Sequence, residues 1–331
     1  IFFNLTLPAV PAGHWMLCLL LFVLARVGWA GANIFYDAFL VDVTTPDRMD
    51  QISARGYAYG YIGSVLPFLA VIGLIFTGGG GDTLPIGPAR TGFVLIGLWW
   101  LVFSLPAVIT LRQVHALPVS PRPFYDSFRR IGKTMHEIRR YPQAFLFLLA
   151  YFFYIDGVDT IITMATAYGR DLGFSIPVLI AVLLFIQLVA FPFALIYGRL
   201  ASRYSAKTML MTGILLYCLV TVCAFFLPKI TDPLWKNTAF WGIAFLVASA
   251  MGGIQALSRS FFGRLIPPEK SAEFFGFYNV CGKFAAITGP FLMGMVGRLA
   301  GDTRWGVLSL LFLFGIGALI LSGVHEDRVM R

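Results

Sequence analysis

Nine apolar stretches, each long enough to cross hydrocarbon, constrain this chain more than any other feature. A helix rising about 1.5 Å per residue needs roughly 20 residues to span about 30 Å of lipid. Segments 14–41, 56–77, 92–111, 143–166, 174–197, 208–227, 238–257, 273–297 and 305–324 reach or approach that length, and residues 1–10 read as the tail of a tenth. Lipid offers the backbone no hydrogen-bond partners, and barrel strands alternate over only about ten residues, so runs of this length specify helices. The expected fold class is therefore all-α and polytopic. Composition agrees: 58% of the 331 residues are hydrophobic and 12% charged, with mean hydropathy +0.80. Such a chain is neither disordered nor a disulfide-rich secreted domain. Cys18, Cys218, Cys223 and Cys281 all lie within apolar segments, without metal-ligand spacing, and read as buried packing residues. Neither a metal nor a cofactor is expected.

A formal charge of +9 raises the question of nucleic acid, and the distribution of the charge answers it. One alternate set of connections (42–55, 112–142, 198–207, 258–272, 325–331) holds seventeen Lys and Arg, and the other set holds six. That asymmetry is the positive-inside signature, so the first set is expected to be cytoplasmic. The basic charge is then topological, and no nucleic-acid partner is expected.

Pro46-Asp47-Arg48, followed after four residues by Ser53-Ala54-Arg55-Gly56-Tyr57, is echoed by Pro268-Glu269-Lys270 and then Ser271-Ala272-Glu273-Phe274-Phe275. The copies lie about 220 residues and six helices apart in the same orientation, which describes a parallel repeat of two six-helix halves. Extended backwards, the repeat expects counterparts of 143–166, 174–197 and 208–227 before residue 14. The start, at Ile1 rather than Met, reads as truncated, with about three helices of the first half missing. The expected domains are 1–111, the remainder of the N-terminal bundle; 112–142, a cytoplasmic linker; and 143–331, the C-terminal six-helix bundle. Within the linker, Phe124, Phe128, Ile131, Met135 and Ile138 recur at helical spacing between Arg129, Arg130, Lys133, Arg139 and Arg140. This pattern is an amphipathic basic helix, lying either on the anionic leaflet or on the bundle.

Two six-helix halves joined by a basic loop resemble the major facilitator superfamily. Asn33–Leu40 (NIFYDAFL), Arg55–Gly63 (RGYAYGYIG), Ala150–Ile161 (AYFFYIDGVDTI), Gly252–Pro267 (GGIQALSRSFFGRLIP) and Glu273–Phe284 (EFFGFYNVCGKF), with Gly289-Pro290 after it, are similar to the vacuole-effluxer branch. That branch is called the "unknown major facilitator" family in bacteria, and its fungal members export amino acids from the vacuole. The resemblance implies a major facilitator fold with a central cavity. The superfamily's loop pattern G-x-x-x-D-R-x-G-[RK] is only partly met from Gly198 to Lys207, where Ser202 replaces the Asp and Ser205 the second Gly.

Charges within the spans mark the candidate site, because each costs at least about 2.5–3.5 kcal/mol at mid-membrane unless it meets a partner or a wet cavity. Asp156 and Asp159 share one helix face and read as a proton-coupling pair or as structural charges neutralised by neighbours. Lys283, with Asn279 one turn earlier, suits a substrate carboxylate or a carboxylate across the cavity; Arg26 raises the same alternatives. Asn33, Gln255 and Tyr278 complete the substrate-binding candidates. Asp37 and Asp42 near the end of one helix, with Arg55 opening the next, suggest a gating latch, and Arg259 and Glu273 occupy comparable places in the second half. Loop anchoring is the alternative reading. Gly56-x-x-x-Gly60 and Gly297-x-x-x-Gly301 permit close helix contact.

An enzyme is not expected: Asp156-Gly157-x-Asp159 has no second carboxylate cluster, and no phosphate loop is present. The resemblance, with the intramembrane charges, implies a secondary transporter exporting a small polar solute, amino acids among the candidates, by proton-coupled alternating access. A lipid or drug efflux pump of the same fold, and a non-transporting receptor, are the alternatives. The expected setting is a monomer in the lipid bilayer, in the plasma membrane if prokaryotic and a vacuolar-type membrane if eukaryotic.

Overall fold

The computed structural model describes residues 1–79, 85–115 and 138–325. Among these residues nine helices are long and apolar enough to cross a membrane, and there is no strand. They are α1 (Trp15–Ala38), α2 (Met49–Thr77), α3 (Ile86–Thr110), α4 (Pro142–Asp171), α5 (Ile176–Tyr204), α6 (Ala206–Phe226), α7 (Pro233–Leu265), α8 (Ser271–Ala300) and α9 (Thr303–Ser322). The chain is therefore an all-α, multi-pass integral membrane protein. Residues 1–10 form a short helix, Phe2–Thr6, followed by a 3-10 turn, Leu7–Ala9. The amphipathic pattern at 124–141 falls largely outside the described residues.

Every long helix matches an apolar run, but several extend well past it. α2 starts at Met49 rather than at 56, and α7 continues to Leu265 rather than stopping at 257. The added turns carry Asp50, Ser53, Arg259 and Arg264, so residues that hydropathy assigns to loops stand on helices. Local chemistry sets several boundaries. Asp232 accepts hydrogen bonds from the Leu234 and Trp235 N–H groups to start α7, and Asp302 accepts one from Arg304 N–H to start α9. Gly301, at φ +67°, ends α8 in the left-handed region. It is thus a helix stop rather than half of a Gly-x-x-x-Gly contact, and a Cβ on Gly60 would meet nothing within 4 Å. Cys18 is exposed, contrary to expectation, because it lies on an outward face of α1.

The chain divides into two compact units. The first comprises Ile1–Tyr36 and Ile62–Val114. In it the N-terminal turn rests on α3, with Asn4 Nδ2 donating to the Phe93 carbonyl and Arg90 to the Val10 carbonyl. The second comprises Asp37–Tyr61 and His115–Arg331. There α7 packs on α5 and α6, α4 on α8 and α9, and α9 on α6 and α8. The core is aromatic: Phe147, Tyr154, Tyr217, Phe261, Phe262, Phe274, Phe275 and Phe314 are fully buried. Tyr151 and Tyr278 stack at 4.2 Å, and Tyr217 and Phe314 at 5.7 Å. Glycines let the backbones approach: a Cβ on Gly157 would collide with Phe314, and one on Gly317 would lie 2.8 Å from that of Tyr154.

Candidate functional site

A carboxylate in the last turn of a helix faces the negative end of the helix dipole and needs a cation. Asp37 occupies that position on α1, 7% exposed, and its cation is Arg259 of α7, 3% exposed, at 3.4 Å. The guanidinium spends its other donors on Ser53 of α2: Nε donates to the hydroxyl at 2.9 Å and Nη2 to the carbonyl at 3.2 Å. Ser53 Oγ in turn donates to the Ala256 carbonyl at 2.7 Å. The Tyr57 ring lies 4.9 Å below the guanidinium, adding a cation–π contact. Asn279 Nδ2 of α8 donates to the second Asp37 oxygen at 3.0 Å. A buried ion pair persists only when its remaining donors and acceptors are met, and here they are.

A second pair lies nearby. Asp50, in the first turn of α2, accepts from Arg264 at 2.7 Å and from Ser260. Asp42 meets His115, whose backbone N–H donates to Oδ1 at 2.9 Å and whose Nδ1 lies 2.9 Å from the same oxygen. The expected latch is thus rearranged. Asp37 and Asp42 turn to Arg259 and His115, while Arg55 is exposed and makes no ion pair among the described residues. The reason is helical phase: α2 begins seven residues early, and Ser53, not Arg55, faces α7. Glu273 lies in the first turn of α8.

Around the Asp37 network stand several of the other candidates. Lys283, one turn beyond Asn279, is exposed, and its charge acts on both Asp37 and Asp159. Gln255 accepts from Tyr61 at 2.8 Å, and Tyr278 is buried against Tyr151 and Phe262. Asp156 and Asp159, paired in the sequence reading, occupy different surroundings. Asp159 lies half-buried in the field of Lys283. Asp156 is fully buried; Oδ1 accepts from the Gly289 N–H at 2.7 Å, whereas Oδ2 and the neighbouring Thr160 hydroxyl are buried with no hydrogen-bond partner of good geometry among the described residues. Only glycine fits at 289, since a Cβ would collide with both side chains, and Pro290 next to it has no N–H to give. Arg26 and Asn33 lie on α1 in the first unit, where the Arg26 guanidinium sits 4.8 Å over Trp29.

Sequence reading missed Ser53, Asp50, Arg264, Thr160 and the hydrogen bond between Tyr154 and Ser258. One signal for the central pair was present. Asp37 and Arg259 are 222 residues apart, as are Pro46 and Pro268. The shared separation is the offset of the expected repeat, which would make them equivalent positions with opposite charges.

Comparison with known proteins places this arrangement in a family. The family model "Vacuole effluxer Atg22 like" matches residues 41–331. An MFS-type transporter of Bacillus subtilis, YxiO, is 46% identical over 324 residues, covering 97% of this chain and 74% of that protein. Autophagy-related protein 22 of Coccidioides immitis is 30% identical over 301 residues, covering 84% of this chain and 49% of that protein. Autophagy-related protein 22-1 of Aspergillus niger is 27% identical, covering 84% and 48%. The chain spans about half the length of these fungal relatives. With a model match over most of its length and an all-α fold of membrane-spanning helices, the chain belongs to the vacuole effluxer Atg22-like family of major facilitator transporters.

Proposed function

We propose that the protein exports a small polar solute, with zwitterionic amino acids as the solute class, by alternating access driven by protons. The observation that carries this reading is the buried Asp37–Arg259–Asn279 network, which ties the end of α1 to α7 and α8 beside Lys283 and Asp159. A cation and a carboxylate that interact with each other can exchange that interaction for the carboxylate and amine of a zwitterion. Binding then weakens the contacts that hold one end of the halves together, which gives the solute the differential affinity for two states that transport requires. On this reading Asp37 and Arg259 close the cytoplasmic end; Arg26 and Asn33, on α1, are the solute-binding candidates of the first unit.

The proton is assigned to Asp156. An ionised carboxylate at full burial, with one oxygen unpartnered among the described residues, is costly, so the acid form suits this site. Asp159 instead serves as the counter-ion of Lys283. The working unit is a monomer in a cell or vacuolar membrane.

The test is counterflow of labelled amino acids into proteoliposomes carrying the full-length protein. Accumulation that a pH gradient drives, together with at least a tenfold weaker solute affinity in Lys283→Ala, supports the reading. Absence of counterflow with any amino acid, or unchanged affinity in the lysine variant, refutes it.

A further inference from the structure

We infer that the pocket beside the crossing of α2 and α5 holds the phosphate of an anionic phospholipid between Arg55 and Arg199. The two helices touch closely here: a Cβ on Gly198 would collide with Ala54 and stand 3.3 Å from the Asp50 carbonyl oxygen. The pocket is lined by Gln51, Ala54 and Arg55 from α2 and by Leu195, Gly198 and Arg199 from α5. Two guanidiniums and an amide are its polar side chains, and no carboxylate lines it. Among the described residues neither arginine has an ion pair or a hydrogen bond, whereas Arg259 and Arg264 each have a carboxylate.

The missing counter-charge has a visible origin. Ser202 stands where the superfamily loop pattern has Asp, and its hydroxyl is occupied by neutral partners, accepting from Gln51 and donating to the Gly198 carbonyl. The close approach of α2 and α5 at Gly198 therefore brings two positive charges to one pocket with no carboxylate among the described residues to neutralise them. Guanidinium donors in a fork suit phosphate oxygens, and the shared chemistry of the ligand is a phosphate anion.

A lipid is favoured over free phosphate by what lies next to the pocket. Ile196 and Leu188, one and three turns back along the same face of α5, are exposed and offer an acyl chain an apolar track. The charge count places this helix end at the cytoplasmic leaflet, where anionic lipids concentrate. A bound headgroup would join α2 to α5 and oppose their separation. This inference does not depend on the solute or on proton coupling.

Native mass spectrometry of the full-length protein with phosphatidylglycerol, phosphatidylcholine or inorganic phosphate tests it, with thermal unfolding in the same lipids as a second readout. Wild type should retain phosphatidylglycerol and melt higher with it. Arg55→Gln and Arg199→Gln should each weaken retention roughly five-fold, the factor expected for one basic residue at a membrane surface. Arg203→Gln, on the same helix outside the pocket, should change retention less than two-fold. Melting of each variant without lipid reports its folding, and Arg55→Lys, which keeps the charge but not the fork, should fall between wild type and Arg55→Gln. Equal retention of phosphatidylcholine, or undiminished phosphatidylglycerol retention in both glutamine variants, overturns the site. Displacement of the lipid by millimolar inorganic phosphate overturns the lipid assignment in favour of a soluble anion.

Discussion

At the scale of single residues, the two aspartates of α4 show how three positions of helix can separate two environments. Asp156 points to the α8 backbone at Gly289, and Asp159 lies in the field of Lys283. If Asp156 carries the coupling proton, Asp156→Asn fixes the neutral form: solute binding should stay within about two-fold of wild type while the pH dependence of transport disappears. Asp159→Asn should do the reverse, keeping the pH profile and weakening solute binding at least five-fold. Proteoliposome uptake between pH 5.5 and 8.5, alongside equilibrium binding, measures both. Identical profiles for the two variants would return the aspartates to a structural role. The sequence made both visible as intramembrane charges, but their unequal partners come from α8, more than 120 residues away along the chain.

At the scale of elements, the end of α1, the start of α2 and the end of α7 are joined by charge rather than by apolar packing alone. Removing one member of a buried pair strands the other, at a cost of about 3–5 kcal/mol, whereas replacing both with apolar residues can be nearly neutral. Arg259→Met and Asp37→Leu should therefore each lower the melting temperature, and the double variant should melt closer to wild type than either single. If the pair also gates, the double variant should remain folded yet label faster at cysteines placed near Ser53. Recovery of stability with unchanged labelling would make the pair purely structural. Helix existence was legible from hydropathy because nine long apolar runs admit no other element. The ends were not: the apolar runs are bounded at 56 and 257, while the helices reach back to Met49 and on to Leu265 through Asp50 and Arg259, each of which finds a partner on another helix.

At the scale of the whole molecule, the asymmetry of seventeen basic residues against six predicts an orientation. Cysteines introduced in 112–142 should react with impermeant thiol reagents only from the cytoplasmic side, and those in 78–91 only from outside; reversed labelling would invert every assignment of a gate to a face. By itself the sequence determined the helix inventory, the family resemblance and the residue types available for a site, because each follows from local periodicity, composition or motif. Only the tertiary structure decided which charges meet. Asp37 chose Arg259 over Arg55, Asp50 chose Arg264, and Arg55 and Arg199 came to one pocket that no carboxylate of the described residues lines. The physical reason is that a buried charge is stabilised by whatever lies within a few ångströms, and on packed helices those neighbours are set by crossing geometry and helical phase rather than by proximity along the chain.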